Sequence, residues 1–361
     1  MADLMSGSYT YDVLKKQYEN FMLPLVKLKI NGSDQVEKQN LSVASLKATL
    51  SVDGASMVVI KFSGLYDEKN HTFDKKVKST FKPGTVVEME LGYKSKSTMV
   101  FKGYVDMIGC EFGDQSPKIV VTLMDARRLM MSAGSVYRLH DVKNYSDAVK
   151  TILKKYAKLC SPKVDDTSDN LEEMVSQTQN DYDFIIGDLI RWGKVNREFF
   201  IVGDKAYFRE PHKEKTPIIT MQYGRELLAL KTNEEYRDLK VQVFGSDEVK
   251  QEPVSGQASV TKASGQSTII SPTPELNITD PTADTAKKAS DRASAIAQRL
   301  TWEAQTGRGM CIGLPELVPG RYIKVEKLDS DLCDKSYYLK TVVHEIDEEH
   351  FRTMFDIEGY K

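Results

Sequence analysis

The sequence predicts a mixed, β-rich α+β protein: two barrel-like β domains separated by an α+β domain, with a polar insertion plus a helix in the second barrel. Three observations carry this prediction. Short alternating strands between turn dipeptides fill the first third of the chain and return in its last third. Helix-period segments replace them over residues 131–216. A tract rich in Ser, Thr, Gly, Pro and Gln then interrupts the second strand block.

Residues 1–22 read as a helical arm, with Tyr11, Leu14, Tyr18 and Phe21 at helical spacing. The arm lies outside the first strand block, so it docks on a neighbour or packs on its own barrel. In the first block, residues 23–130, Leu25 to Ile30 alternates and ends at Asn31-Gly32, and Asp53-Gly54 separates two further strands. Strands after Pro83-Gly84, from Thr98 and from Lys118 complete a barrel-like set.

In the middle domain, residues 131–216, Ser146 is the expected N-cap of a helix that buries Val149, Ile152, Leu153 and Tyr156. A second helix starts near Asp181 and Asp183 and stops at Gly193, and a hairpin turns about Gly203-Asp204. Residues 217–245 and 307–361 are expected to form one second barrel around 246–306. Within that excursion, 246–280 is expected as an exposed loop, because so few large apolar residues cannot offset the entropy of ordering. A helix running from Asp280 to Trp302 follows.

At 361 residues the chain has room for two or three domains, and 40% hydrophobic with 28% charged residues is the composition of a soluble globular protein. A net charge of −2 argues against a general nucleic-acid binder. Lys75-Lys76-Val77-Lys78 reads as a solvated face. Cys110, Cys160, Cys311 and Cys333 form no CxxC pair, so burial as small apolar residues is expected rather than a zinc site. No signal-peptide pattern and no membrane-length apolar run is visible, and synthesis in the cytoplasm is expected.

No constellation predicts catalysis, a cofactor or a metal. Glu172, Glu173, Asp181 and Asp183 are close in sequence, but glycoside hydrolysis needs carboxyls facing each other across a cleft. His344 and His350 are six apart in a strand context, not four apart on a helix. Gly307, Gly309 and Gly313 fit no phosphate-loop pattern, and no GxSxG is present. Arg127 and Arg128, after Asp125, are read as an ion-pair or partner-facing site.

Several segments together resemble one family. They are Phe101 to Asp106 with Val121 to Arg128, Asn180 to Gly193 with the Glu198 hairpin, and Leu317 to Val325 with Tyr338 to Asp347. In order and spacing they resemble the phage late control gene D family, the hub portion shared by contractile-tail baseplate hubs and VgrG spike proteins. The resemblance runs from about residue 23 to the end. It implies a homotrimer whose two barrel-like domains per chain form a pseudo-sixfold ring between a hexameric inner tube protein and a trimeric spike. Other baseplate proteins are further implied partners, and the implied location is a virion tail or injection-particle baseplate.

The chain differs from VgrG proteins in showing no needle-like repeat after the hub portion, so the spike is expected as a separate polypeptide. Partner contact is assigned to Tyr11, Leu14, Tyr18, Phe21, Arg127 and Arg128. Two other readings stand beside the structural hub. One is a tail-tip hub of a non-contractile phage linked to cell-wall degradation; the other is a generic β-rich binding module.

Overall fold

The computed structural model describes residues 4–113, 116–132, 134, 137–247, 249–262, 265–329, 332–333 and 335–360. Residues 1–3, Lys361, and Glu248, Ala263 and Ser264 of the expected insertion lie outside the described residues. Among the described residues, no helix is long and apolar enough to cross a membrane.

Alternation makes the strands. In Met57–Ser63, Val58, Ile60 and Phe62 are fully buried while the intervening residues face outward. Its partner Ser42–Ser51 arrives through the Asp53-Gly54 turn, where Gly54 sits at φ +80°. The two strand blocks then meet edge to edge. Ser42–Ser51 pairs antiparallel with Ser336–Ile346, Leu50 opposite Val342 and Ala48 opposite His344.

This seam creates one thirteen-stranded sheet. On one side of it follow Met57–Ser63, Lys118–Met124, Lys96–Glu111, Val86–Tyr93, Pro24–Ile30 and the short Ser33–Asp34. On the other follow Phe351–Tyr360, Gln305–Ile312 and Leu227–Glu234. Pro217–Gln222 pairs in parallel with Tyr322–Glu326, which lies on Ser336–Ile346. A single apolar core, from Leu14 and Leu46 to Val325 and Phe355, runs beneath both blocks.

The middle region has its own core around Val149, Ile152, Phe184 and Phe208. There Ser161–Val164 and Glu198–Val202 flank Lys205–Arg209. The helix Tyr145–Leu153 begins two residues earlier than expected, with Asn144 as N-cap. Ser146 is instead buried inside the first turn, where its backbone N–H donates to Thr167 Oγ1 at 3.1 Å and its hydroxyl accepts from the Thr167 N–H at 3.2 Å. The second helix turns through Asp181–Asp183 and continues as a π-helix over Phe184–Arg191. That wider turn is the reason residues five apart, Phe184 and Leu189, share a buried face.

The excursion differs from the expected loop. Lys240–Asp247 leaves the main sheet and pairs antiparallel with Glu252–Ser259 and in parallel with Glu275–Thr279. The helix Ala286–Glu303, capped by the Thr285 side chain, covers this small sheet through Ala289, Ala293, Ile296 and Ala297 against Val241 and Val243. Few large side chains are needed because small residues permit close approach: a Cβ on Gly256 would lie 2.1 Å from the Ser290 nitrogen. Backbone pairing within the sheet and cover from the helix satisfy a tract that composition alone marked as loop.

Candidate functional site

Chemistry-bearing side chains are used to join elements. The Arg127 guanidinium, wholly buried, donates to Asp125 Oδ2 at 2.7 Å, to Ser51 O at 2.9 Å and to Ser56 Oγ at 2.9 Å. It thereby fixes the Asp53-Gly54 turn to the end of Lys118–Met124, and Tyr182 Oη accepts from the Gly54 N–H. This corrects the expected partner-facing role of Arg127, since a side chain that closes buried carbonyls has no surface to offer. Arg128 is exposed and remains available.

The acidic cluster disperses in the same way. Asp181 is buried and accepts from Lys155 Nζ at 2.7 Å, Tyr156 Oη at 2.8 Å and Gln177 Nε2 at 2.8 Å, which hold its carboxyl below the usual range against burial. Asp183, Glu172 and Glu173 are exposed, and no pair faces across a cleft. His344 is fully buried, with Nδ1 3.0 Å from Thr353 Oγ1 and Nε2 3.1 Å from Leu317 O. Burial pushes it down to about 4, so it stays neutral. Among the described residues no group of His, Cys, Asp and Glu is arranged to hold a metal. Cys160 and Cys311 are buried as expected, whereas Cys110 is exposed on the tail of its long strand.

Two polar locks tie the middle region to the second block. Glu198 accepts from Arg209 Nε at 2.8 Å and from Tyr338 Oη at 2.5 Å, while Arg209 also donates to Gly320 O. His212 lies between the rings of Trp302 and Tyr338, with centroids 3.8 Å and 3.9 Å away.

The N-terminal arm crosses both blocks. Arg321, buried, donates to the carbonyls of Leu4 and Gly7, and Tyr9 bridges Ile219. The helix Tyr11–Gln17 then carries Leu14 and Tyr18 fully into the chain's own core. Their expected contact with a partner is therefore corrected: this burial is intramolecular. Tyr11 and Phe21 are half-buried and stacked on each other at 5.8 Å, and Arg225 lies 4.4 Å over the Tyr11 ring. Val13, Met22 and Leu23 are the exposed apolar residues of the arm.

Sequence reading missed Glu316, Arg321, Glu198 and Arg209. The available signal was a charged residue inside an apolar stretch, as in Leu314-Pro315-Glu316-Leu317-Val318. Glu316 is 3% exposed, accepts from the Tyr18 hydroxyl at 2.5 Å, and leaves its Oε2 without a hydrogen-bond partner.

The remaining open feature is a sheet edge. Apart from a local bridge between Tyr223 and Leu227, Leu227–Glu234 pairs with Gln305–Ile312, and among the described residues no named strand covers its outer side. The opposite end of the sheet is blunted by Ser33–Asp34, with Asp34 Oδ1 accepting from the Leu28 N–H at 3.1 Å.

The family model of the Alg8 N-terminal domain matches residues 22–348. No curated protein matches the chain by sequence. Among solved structures, the 43 kDa tail protein of prophage MuSo2 from Shewanella oneidensis superposes with a TM-score of 0.69 at 13% identity, over 92% of this chain and 98% of that one. A tail protein from Neisseria meningitidis MC58 gives 0.67 at 10% identity, over 93% and 97%. The E. coli c3393 protein, described as a type VI secretion component similar in structure to T4 tail proteins gp27 and gp5, gives 0.58 at 13%, over 93% and 77%. The fold is thus one found in phage tail and type VI secretion proteins.

Proposed function

The chain belongs to the Alg8 N-terminal domain family; from the fold it shares with phage tail and type VI secretion proteins we propose that it is a structural baseplate hub of a contractile injection system. In this reading three copies form a ring that adapts a hexameric inner tube protein to a trimeric spike protein, with other baseplate proteins around it. It works by matching symmetry and transmitting force, not by making or breaking bonds. The particle it belongs to is a phage tail, a tailocin or a type VI-like machine.

The observation that carries this reading is the seam between Ser42–Ser51 and Ser336–Ile346. It gives each chain two β blocks in one rigid sheet, so three chains present six β units to a sixfold tube. The open edge of Leu227–Glu234 supports it further, because a long free edge on a stable chain calls for a cover, and a neighbouring copy in a closed ring supplies one.

Light scattering on the purified full chain at micromolar concentration tests this. Three times the chain mass is expected, and co-elution when a tube protein is added. Leu228→Lys, which places a charge on the open edge, should lower the mass to that of one chain. A wild-type chain that stays monomeric throughout would overturn the reading.

A further inference from the structure

The Tyr11–Phe21 segment is held differently from the chain on either side of it. On its N-terminal side, Arg321 grips the carbonyls of Leu4 and Gly7, and Tyr9 bridges Ile219. On its C-terminal side, Pro24–Ile30 is paired along Val86–Tyr93. Between these anchors the segment rests on side chains. Tyr18 and Phe21 pack on Tyr93 at 5.3 Å and 5.4 Å, and Tyr93 stacks on Phe351 at 5.4 Å.

The turn that brings these rings in is backbone-strained. Glu19, Asn20, Phe21 and Leu23 have φ of 47°, 64°, 60° and 58°, left-handed values at four residues other than glycine that are interrupted at Met22, φ −89°. Left-handed backbone at residues other than glycine persists only where its surroundings over-determine it. The strain favours release of the segment, so closure depends on what holds Tyr18.

What holds it is Glu316. The Tyr18 hydroxyl donates to Oε1 at 2.5 Å and stands 3.3 Å from Thr98 Oγ1 on Lys96–Glu111. Oε2 has no hydrogen-bond partner and no cation faces the carboxyl. The titratable groups that bear on it are Tyr18 on the segment and Tyr93 on Val86–Tyr93, with Cys311 on Gln305–Ile312 bearing in turn on Tyr93. Burial holds all three above their ordinary range, hence neutral. Farther out, Glu226 bears on Cys311 and is itself ion-paired with Arg225. A neutral acid is tolerated in such a site, while a buried carboxylate met only by the Tyr18 hydroxyl and its own backbone N–H, with no cation, is disfavoured.

We infer that residues 11–21 form a strap, anchored at both ends, which opens when the Glu316 carboxyl gives up its proton to solvent. In the closed strap Leu14 and Tyr18 fill the core between the blocks. In the open strap they leave that core and join Val13, Met22 and Leu23 in solvent. Burial pushes the Glu316 carboxyl up to about 7 from an ordinary value of 4.5. The closing contribution is therefore complete below about pH 4.5 and lost as the pH rises to about 7.

Hydrogen–deuterium exchange of the full chain between pH 5 and 8, corrected for intrinsic rates, tests the strap. Opening of residues 11–21 should rise by up to about tenfold per pH unit between pH 5 and 7 and level off above. Glu316→Gln should keep the strap closed and erase the slope. Tyr18→Phe, which retains the ring, should raise opening at every pH and keep the slope. A flat profile in the wild-type chain, an unchanged slope in Glu316→Gln, or an equal rise in the Tyr145–Leu153 helix would each overturn the inference.

Discussion

The His212 imidazole lies nearly parallel to the Trp302 indole, 3.8 Å between centroids and 13° between planes, with Tyr338 on its other face. One side chain from the loop after Lys205–Arg209 thus joins the middle region, the covering helix and the second block. Aromatic pairs of this kind add roughly 0.5–1.5 kcal/mol each beyond burial. His212→Ala should therefore lower unfolding stability by about 2–3 kcal/mol. The exposed His71→Ala should leave the unfolding free energy measured in urea within about 0.5 kcal/mol of wild type.

The neighbouring arginines Arg127 and Arg128 should separate stability from assembly. Arg127→Ala strands Asp125 as a buried charge and uncaps Ser51 O and Val52 O, costing about 3–5 kcal/mol in chemical denaturation. Arg128→Ala, at an exposed position, should change stability by less than about 0.5 kcal/mol. A loss of ring assembly by Arg128→Ala at unchanged stability would assign it to a partner surface.

At Gly256 the covering helix packs directly on the backbone of the small sheet. Gly256→Val would drive a side chain into the Ser290 backbone, which has no room to yield. Exchange protection across Ala286–Glu303 should fall sharply while that of Met57–Ser63 is kept. Gly109→Ala, with open space around its Cβ position, should alter neither.

Acid titration should reveal two buried groups acting in opposite directions. His344 is depressed from 6.5 to about 4, so its contribution is present above pH 6.5 and lost as the pH falls towards 4. Glu316, raised from 4.5 to about 7, contributes below pH 4.5 and loses that contribution as the pH rises to 7. In the wild-type chain these slopes largely offset each other across pH 5–6.5. Glu316→Gln should therefore steepen the loss of stability on acidification, and His344→Gln should make the protein more stable at pH 5 than at pH 7. Urea midpoints at half-unit pH intervals measure both, and parallel curves for all three proteins would refute the pairing.

Local rules made much of the fold legible. Asp53-Gly54 and Asn31-Gly32 turn where the dipeptides require positive φ, and period-two burial in Met57–Ser63 follows directly from Val58, Ile60 and Phe62. Leu14, Tyr18 and the Tyr145–Leu153 helix were visible as apolar faces. Which surface each face meets was not visible. Tyr18 finds Glu316 across 298 positions, and Arg127 finds Ser51 across 76. No spacing rule connects residues so far apart.

The 246–280 tract failed for the opposite reason. Its low apolar content was read correctly, but the surface that stabilises it comes from Val241 and Val243 before it and Ala293 and Ile296 after it. The sequence by itself determined the strand blocks, their turns, the helical middle and the absence of a local catalytic motif, because these rest on periodicity and backbone preference over a few residues. Only the tertiary structure decided that the two blocks share one sheet and that the arm is strapped into the core. It also decided that Arg127 is a bolt and not a handle. Those outcomes depend on which distant surfaces exclude water together, a property of the packed chain that no window of sequence contains.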